Sequence, residues 1–213
     1  MNDKKQDEFI IKKYNERYAK YGLDPRSLGW LKGRQKIRFK ILAEIGNLDG
    51  CSILDIGCGF GDFYQYLVDD KSYEIDYYGV DLNNTFIQIA EKNHPKVRFD
   101  QINFMSLSNL NKYDYVIASG IFEYKFPDQE KIISQCLKQM YELSIKGVSV
   151  NFLSSYVDFE TEEAYHANPE YVFTISKKLT KRVVLRHDYL PYEFTTYMYT
   201  KDKVDDGLFR END

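Results

Sequence analysis

The stretch CSILDIGCGFGDFYQYL, residues 51–67, decides how the chain is read. Ile53 and Leu54 form a short apolar run that meets Asp55. Gly57, Gly59 and Gly61 then alternate through a turn into DFYQYLVDD, a run that places Phe63, Tyr66 and Leu67 on one helical side. A buried strand, a glycine turn and a helix in that order hold the charged part of a nucleotide-like ligand. The dinucleotide fingerprint G-x-G-x-x-G puts its third glycine five positions after its first. Here that position is Asp62. A carboxylate at the helix start competes with phosphate for the free N–H groups, and Asp55 adds a second negative charge. The pair repels a pyrophosphate and suits a cationic ligand.

Outward from this stretch, apolar runs alternate with helical periodicities. Residues 7–20 read as an amphipathic helix carrying Phe9, Ile10, Tyr14 and Tyr18, broken by Gly22, Pro25 and Gly29. A second helix spans about 33–46. YEIDYYGVDL is the next strand, Asn83 or Asn84 caps the helix that follows, and KVRF and YDYVIAS are the third and fourth strands. After Pro127, Ile132, Ile133, Cys136, Leu137, Met140 and Tyr141 recur at three- and four-residue steps. GVSVNFL makes a fifth strand. RVVLRHDYL and EFTTYMYT are separated only by Pro191-Tyr192, which leaves room for an antiparallel hairpin and none for a helix. The expectation is an α/β fold: a mixed sheet with helices on both faces, and a ligand at the carboxyl ends of its strands.

Asp81 ends the second strand, 20 residues beyond Gly61, and an acid at that separation accepts hydrogen bonds from ribose hydroxyls. A ribose together with positive charge near the glycines describes S-adenosylmethionine, through its sulfonium and α-ammonium groups. LDIGCGFG at 54–61, GVDLN at 79–83 and YDYVIASGIFEY at 113–124 together resemble the class I S-adenosylmethionine-dependent methyltransferases, in their type 11, 12 and 25 domains. The resemblance spans residues 33–153 and extends more loosely to the terminal hairpin. It implies a Rossmann-like seven-stranded sheet of order 3-2-1-4-5-7-6 with strand 7 antiparallel and an N-terminal helical lid. The expected organisation is one domain: a lid over 1–46, a cofactor-binding core over 47–153, and an acceptor-side insertion with the hairpin over 154–213.

By that resemblance Gly57, Cys58, Gly59 and Gly61 approach the methionine part of the cofactor, Asp55 lies near its ammonium and Asp81 holds its ribose. Leu82 packs on the adenine. Asn103-Phe104 align with the pair that receives the adenine edge, Asn103 standing where an acid is commoner. Placing Asp100 there instead shifts the register by three. Ser119, Gly120 and Ile121 line the transferring methyl. Before the first strand, Gln35 and Arg38 face one way on a helix, Arg38 as partner for the cofactor carboxylate and Trp30 as part of the lid. The alternative is a solvated helix face with Trp30 packed on the domain edge.

For the acceptor, His166 is a candidate general base, with a surface histidine as the alternative reading. Glu123 and Tyr124 follow the fourth strand, either facing the acceptor or, for Glu123, capping the next segment. His94 and His187 read as structural. No metal cluster is present. SGIFEY lacks the Asn-Pro-Pro-aromatic tetrad of enzymes that methylate nucleic-acid amino groups. A net charge of −4 and a pI near 5.5 also point away from nucleic acid.

Three cysteines without ligand spacing, a charged N-terminus and no long apolar run lead to the expectation of a cytoplasmic protein away from membranes. The expected activity is methyl transfer to a small molecule by a monomer or homodimer. A cofactor-binding partner subunit and a protein methyltransferase are the alternatives.

Overall fold

The computed structural model describes residues 4–29, 34–106, 111–159 and 161–201. Its sheet has seven strands in the order β3-β2-β1-β4-β5-β7-β6. They are β1 (Ser52–Ile56), β2 (Asp76–Asp81), β3 (Arg98–Gln101), β4 (Tyr113–Ala118), β5 (Ser144–Leu153), β6 (Arg182–Leu190) and β7 (Glu193–Tyr199). The first five are parallel neighbours. β7 runs antiparallel to both β5 and β6, because two residues between β6 and β7 allow only a hairpin.

The helices are α1 (Lys4–Tyr21), α2 (Gln35–Ala43), α3 (Asp62–Gln65), α4 (Asn84–Asn93), α5 (Gln129–Leu143) and α6 (Pro169–Leu179). Alternation along the strands sorts two apolar layers. Leu54, Ile56, Val80 and Val116 meet α5 and α6 on one face through Ile133, Leu137, Met140 and Val172. Ile53, Tyr77, Tyr115 and Ile117 meet α2, α3 and α4 on the other through Leu42, Phe63 and Ala90. Asp55 shares the face of Ile53, so the period of the strand carries its carboxylate into that second layer.

Two local expectations change. DFYQYLVDD is one α-helical turn followed by a wider turn of the π type over Tyr66–Asp70, with Phe63, Tyr66 and Leu67 buried as expected. The insertion after β5, read above without a helix, contains α6. Asn168 caps α6 by accepting from Tyr171 N, and Pro169 fills its first turn. Its inward face is only Pro169, Val172, Ile175 and Ser176, while Phe173 is exposed. An apolar stripe that thin gives a weak helical period.

Candidate active site

β1 delivers the chain into a turn in which Gly57, Gly59 and Gly61 all have positive φ, at 74°, 56° and 82°. At Gly59 the left-handed backbone aims its N–H at Asp81 Oδ2, 3.0 Å away. The amides of Gly57 and Cys58 donate to Val80 O at 2.8 and 3.1 Å. The turn is thus stapled to the end of β2. Asn83 N donates to Asp81 Oδ1 at 2.8 Å, so the Asp81 carboxylate is oriented by two backbone donors.

This turn forms one wall of a cavity of about 210 Å³. Four carboxylates line it: Asp55, Asp62 and Asp81 around the turn, and Asp7 from α1. Tyr77 Oη donates to Asp55. Burial, with Asp81 and Asp62 adding to it, pushes the Asp55 carboxyl up to about 7 against that hydrogen bond. Burial also raises Asp62, whose Oδ2 accepts from Gln35 Nε2 at 2.9 Å, and Asp81, against its backbone donors. No lysine or arginine is among the described residues of the cavity wall.

Helix α1 closes the opposite side. Phe9 meets Tyr124 and Phe126 edge-on at 5.5 and 5.8 Å, and Tyr14 meets Phe86 and Tyr124 at 5.8 Å. Tyr18 packs on Phe60 at 6.0 Å. Arg17 pairs with Glu123, which also accepts from Tyr14 Oη at 3.2 Å. Asn83 Nδ2 donates to Asn15 Oδ1 at 2.9 Å, and Asn103 Nδ2 to Asp7 Oδ2 at 2.6 Å.

The cavity gathers most of the residues expected at the cofactor: Asp55, Gly57, Cys58, Gly59, Asp81, Leu82, Asn103, Phe104, Ser119 and Gly120 all line it. Gly61 lies behind the wall, where a Cβ would meet His94 at 2.8 Å. Trp30 lies outside the described residues. Arg38 is corrected: its guanidinium is buried, is not part of the wall, and is paired through Nε and Nη2 with both oxygens of buried Glu193 at the start of β7. A charge so buried requires a partner, and Glu193 supplies it. Gln35, one turn earlier, takes the cavity-facing position.

The three catalytic candidates separate. Tyr124 lines the cavity, and its buried hydroxyl has no partner among the described residues. Glu123 is behind it, held by Arg17 and Tyr14. His166 is not on the cavity wall; its Nδ1 lies 3.0 Å from Ser154 O and its buried Nε2 has no described partner. The reading had not placed Asp7, Tyr14, Leu28, Gln35, Phe86 or Gln129 at the site, yet all six line the cavity. The helical spacing of Phe9, Ile10, Tyr14 and Tyr18 signalled the α1 face but not what it covers.

Residues 54–143 match the family model described as a methyltransferase domain. Over those residues the chain carries a methyltransferase-type domain, and its sheet order is the Rossmann-like order of the solved methyltransferases to which it is similar. No curated protein matches the chain. Among solved structures it is similar to magnesium protoporphyrin IX methyltransferase (ChlM) from Synechocystis PCC 6803 with bound SAM, at TM-score 0.69 and 17% identity, over 94% of this chain and 99% of that one. It is similar also to a DhpI–SAH complex, at TM-score 0.67 and 13% identity, over 90% and 93%. A TehB-like SAM-dependent methyltransferase from Corynebacterium glutamicum gives 0.59 and 14%, over 93% and 100%. Identities this low establish the fold. Among the described residues no helix is long and apolar enough to cross a membrane, and no group of His, Cys, Asp or Glu is arranged to hold a metal ion.

Proposed function

We propose that the chain moves the methyl group of S-adenosylmethionine to a small organic acceptor. The observation that carries this reading is the crowding of Asp55, Asp62 and Asp81 around one cavity whose described wall has no basic residue. Each carboxyl is pushed up by burial. A ligand bearing positive charge relieves that crowding, whereas a pyrophosphate worsens it. The residues therefore fit the cofactor: Asp81 for the ribose hydroxyls, Asp55 and Asp62 for the cationic methionine end, Leu82 and Phe104 for the faces of the base.

When bound, the cofactor supplies an electrophilic methyl on a sulfonium that is already a good leaving group. The chain has to align donor and nucleophile and exclude water, and positioning of this kind is worth about 7–11 kcal/mol. Helix α1 and its aromatic contacts exclude water. Tyr124 presents a hydroxyl without a described partner. Burial followed by Glu123 raises its pKa, so it serves as a neutral hydrogen-bond group that orients the acceptor rather than as a base. Glu123 positions Arg17 and Tyr14 of α1. A cavity overlaid by helix α1 suits a small acceptor better than a protein side chain or a nucleic acid. The relatives with bound SAM or SAH support the cofactor by analogy.

The test is transfer from radiolabelled S-adenosylmethionine in the presence of mixed small-molecule acceptors and, separately, of cell protein. Label in the small-molecule fraction supports the proposal. Label in protein alone favours the protein methyltransferase. Cofactor binding with no transfer to either favours a partner subunit.

A further inference from the structure

The adenine of the cofactor carries a 6-amino group, a donor that needs an acceptor, and resting on the reading above we propose that Asp7 on helix α1 supplies it. With the ribose at Asp81 on β2, the base extends toward the neighbouring strand β3. The cavity wall there contains Leu82, Ile102, Asn103 and Phe104 from the segments that follow β2 and β3, and Gln6 and Asp7 from α1. The side-chain amide that follows β3 has the wrong polarity. Asn103 Oδ1 accepts from Met105 N at 2.9 Å, and that N–H fixes which way round the amide lies. Asn103 Nδ2 therefore points outward as a donor, toward Asp7 Oδ2 at 2.6 Å.

Asn103 thus acts as a bracket that holds the Asp7 carboxylate at the cavity wall. A carboxylate has about four acceptor positions, so Asp7 can hold Asn103 and a further partner and still accept from a ligand. A second observation concerns the same cavity: Gln129 at the start of α5 is buried, lines the cavity, and its Oε1 has no partner among the described residues. Ile132 and Cys136, on the same side of α5 as Gln129, line that cavity together with Phe104. Gln129 is the acceptor for the second amino hydrogen. Recognition of the base then comes from α1 and α5 rather than from the sheet, and α1 has to be docked for the amino group to be read.

The experiment is calorimetric titration of the full chain with S-adenosylhomocysteine and with S-inosylhomocysteine, whose 6-oxo group is an acceptor. The wild type is expected to prefer the amino ligand by about tenfold or more, since a site built around a hydrogen bond rejects an analogue that leaves its groups unpaired. Asp7→Asn can turn a donor toward a 6-oxo group, so its preference narrows to near unity or reverses. Gln129→Leu loses part of the preference without reversing it. Equal weakening of both ligands in Asp7→Asn would mean that Asp7 only docks α1, and would overturn the proposal, as would an unchanged preference. A wild type that binds neither ligand fails earlier, removing the cofactor reading and this one with it.

Discussion

Replacing Asp55 by Asn tests whether the cavity stores electrostatic crowding. The carboxyl stands at about 7 in the folded chain against an ordinary 3.8, chiefly through burial. Below both values it is protonated folded or unfolded, and contributes nothing. As pH rises from 4 toward 7 the unfolded chain releases this proton and the folded chain keeps it, so stability falls. At 1.36 kcal/mol per pH unit the loss is about 1.7 kcal/mol at pH 5 and about 4 kcal/mol at pH 8. Asn keeps an oxygen to accept from Tyr77 Oη and cannot ionise. Urea unfolding of wild type and Asp55→Asn at the two pH values should show the variant's advantage growing by about 2.5 kcal/mol between them. Asp62 and Asp81, also raised, leave a residual slope of the same sign in both proteins. Parallel stability profiles for the two proteins would refute the reasoning. The same group makes S-adenosylhomocysteine binding tighten as pH rises toward 7 in the wild type, and more weakly in the variant.

Other consequences are more direct. Arg38→Ala leaves Glu193 buried and unpaired, and should cost about 3–5 kcal/mol in urea unfolding; a loss of cofactor affinity at unchanged stability would instead restore Arg38 to the cofactor. Gly59→Ala places a Cβ at φ +56° and 3.0 Å from Leu28, and should cost about 1–2 kcal/mol of stability while displacing the N–H that orients Asp81. Glu123→Gln weakens the hold on Arg17 and Tyr14, so amide exchange in α1 should accelerate severalfold, with the rates in β1 and β4 unchanged.

What could be read from the sequence follows the range of the interactions. Strand, glycine turn and helix are neighbours in the chain, so Asp55, Gly57, Gly59 and Asp62 were legible as one unit. Asp81 followed from a spacing that the parallel pairing of β1 with β2 enforces. The hairpin followed from a two-residue gap. Arg38 was misplaced because its partner Glu193 lies 155 residues away, and nothing local distinguishes a helix-face arginine seeking a ligand from one seeking a buried carboxylate. The same distance problem hid the contacts of α1: Asp7 meets Asn103 across 96 residues and Arg17 meets Glu123 across 106. Periodicity gave α1 an apolar face without naming what it covers. In α6 the capping pair Asn168-Pro169 was present, but the buried face that would have confirmed it is short.

The most direct measurement is a calorimetric titration of the full chain with S-adenosylhomocysteine, with NAD in parallel, repeated on Asp81→Ala. Binding of the first ligand only, abolished or weakened by at least about tenfold in the variant, is what the carboxylate-lined cavity requires. Binding of NAD, or affinity for S-adenosylhomocysteine that does not depend on Asp81, would contradict it.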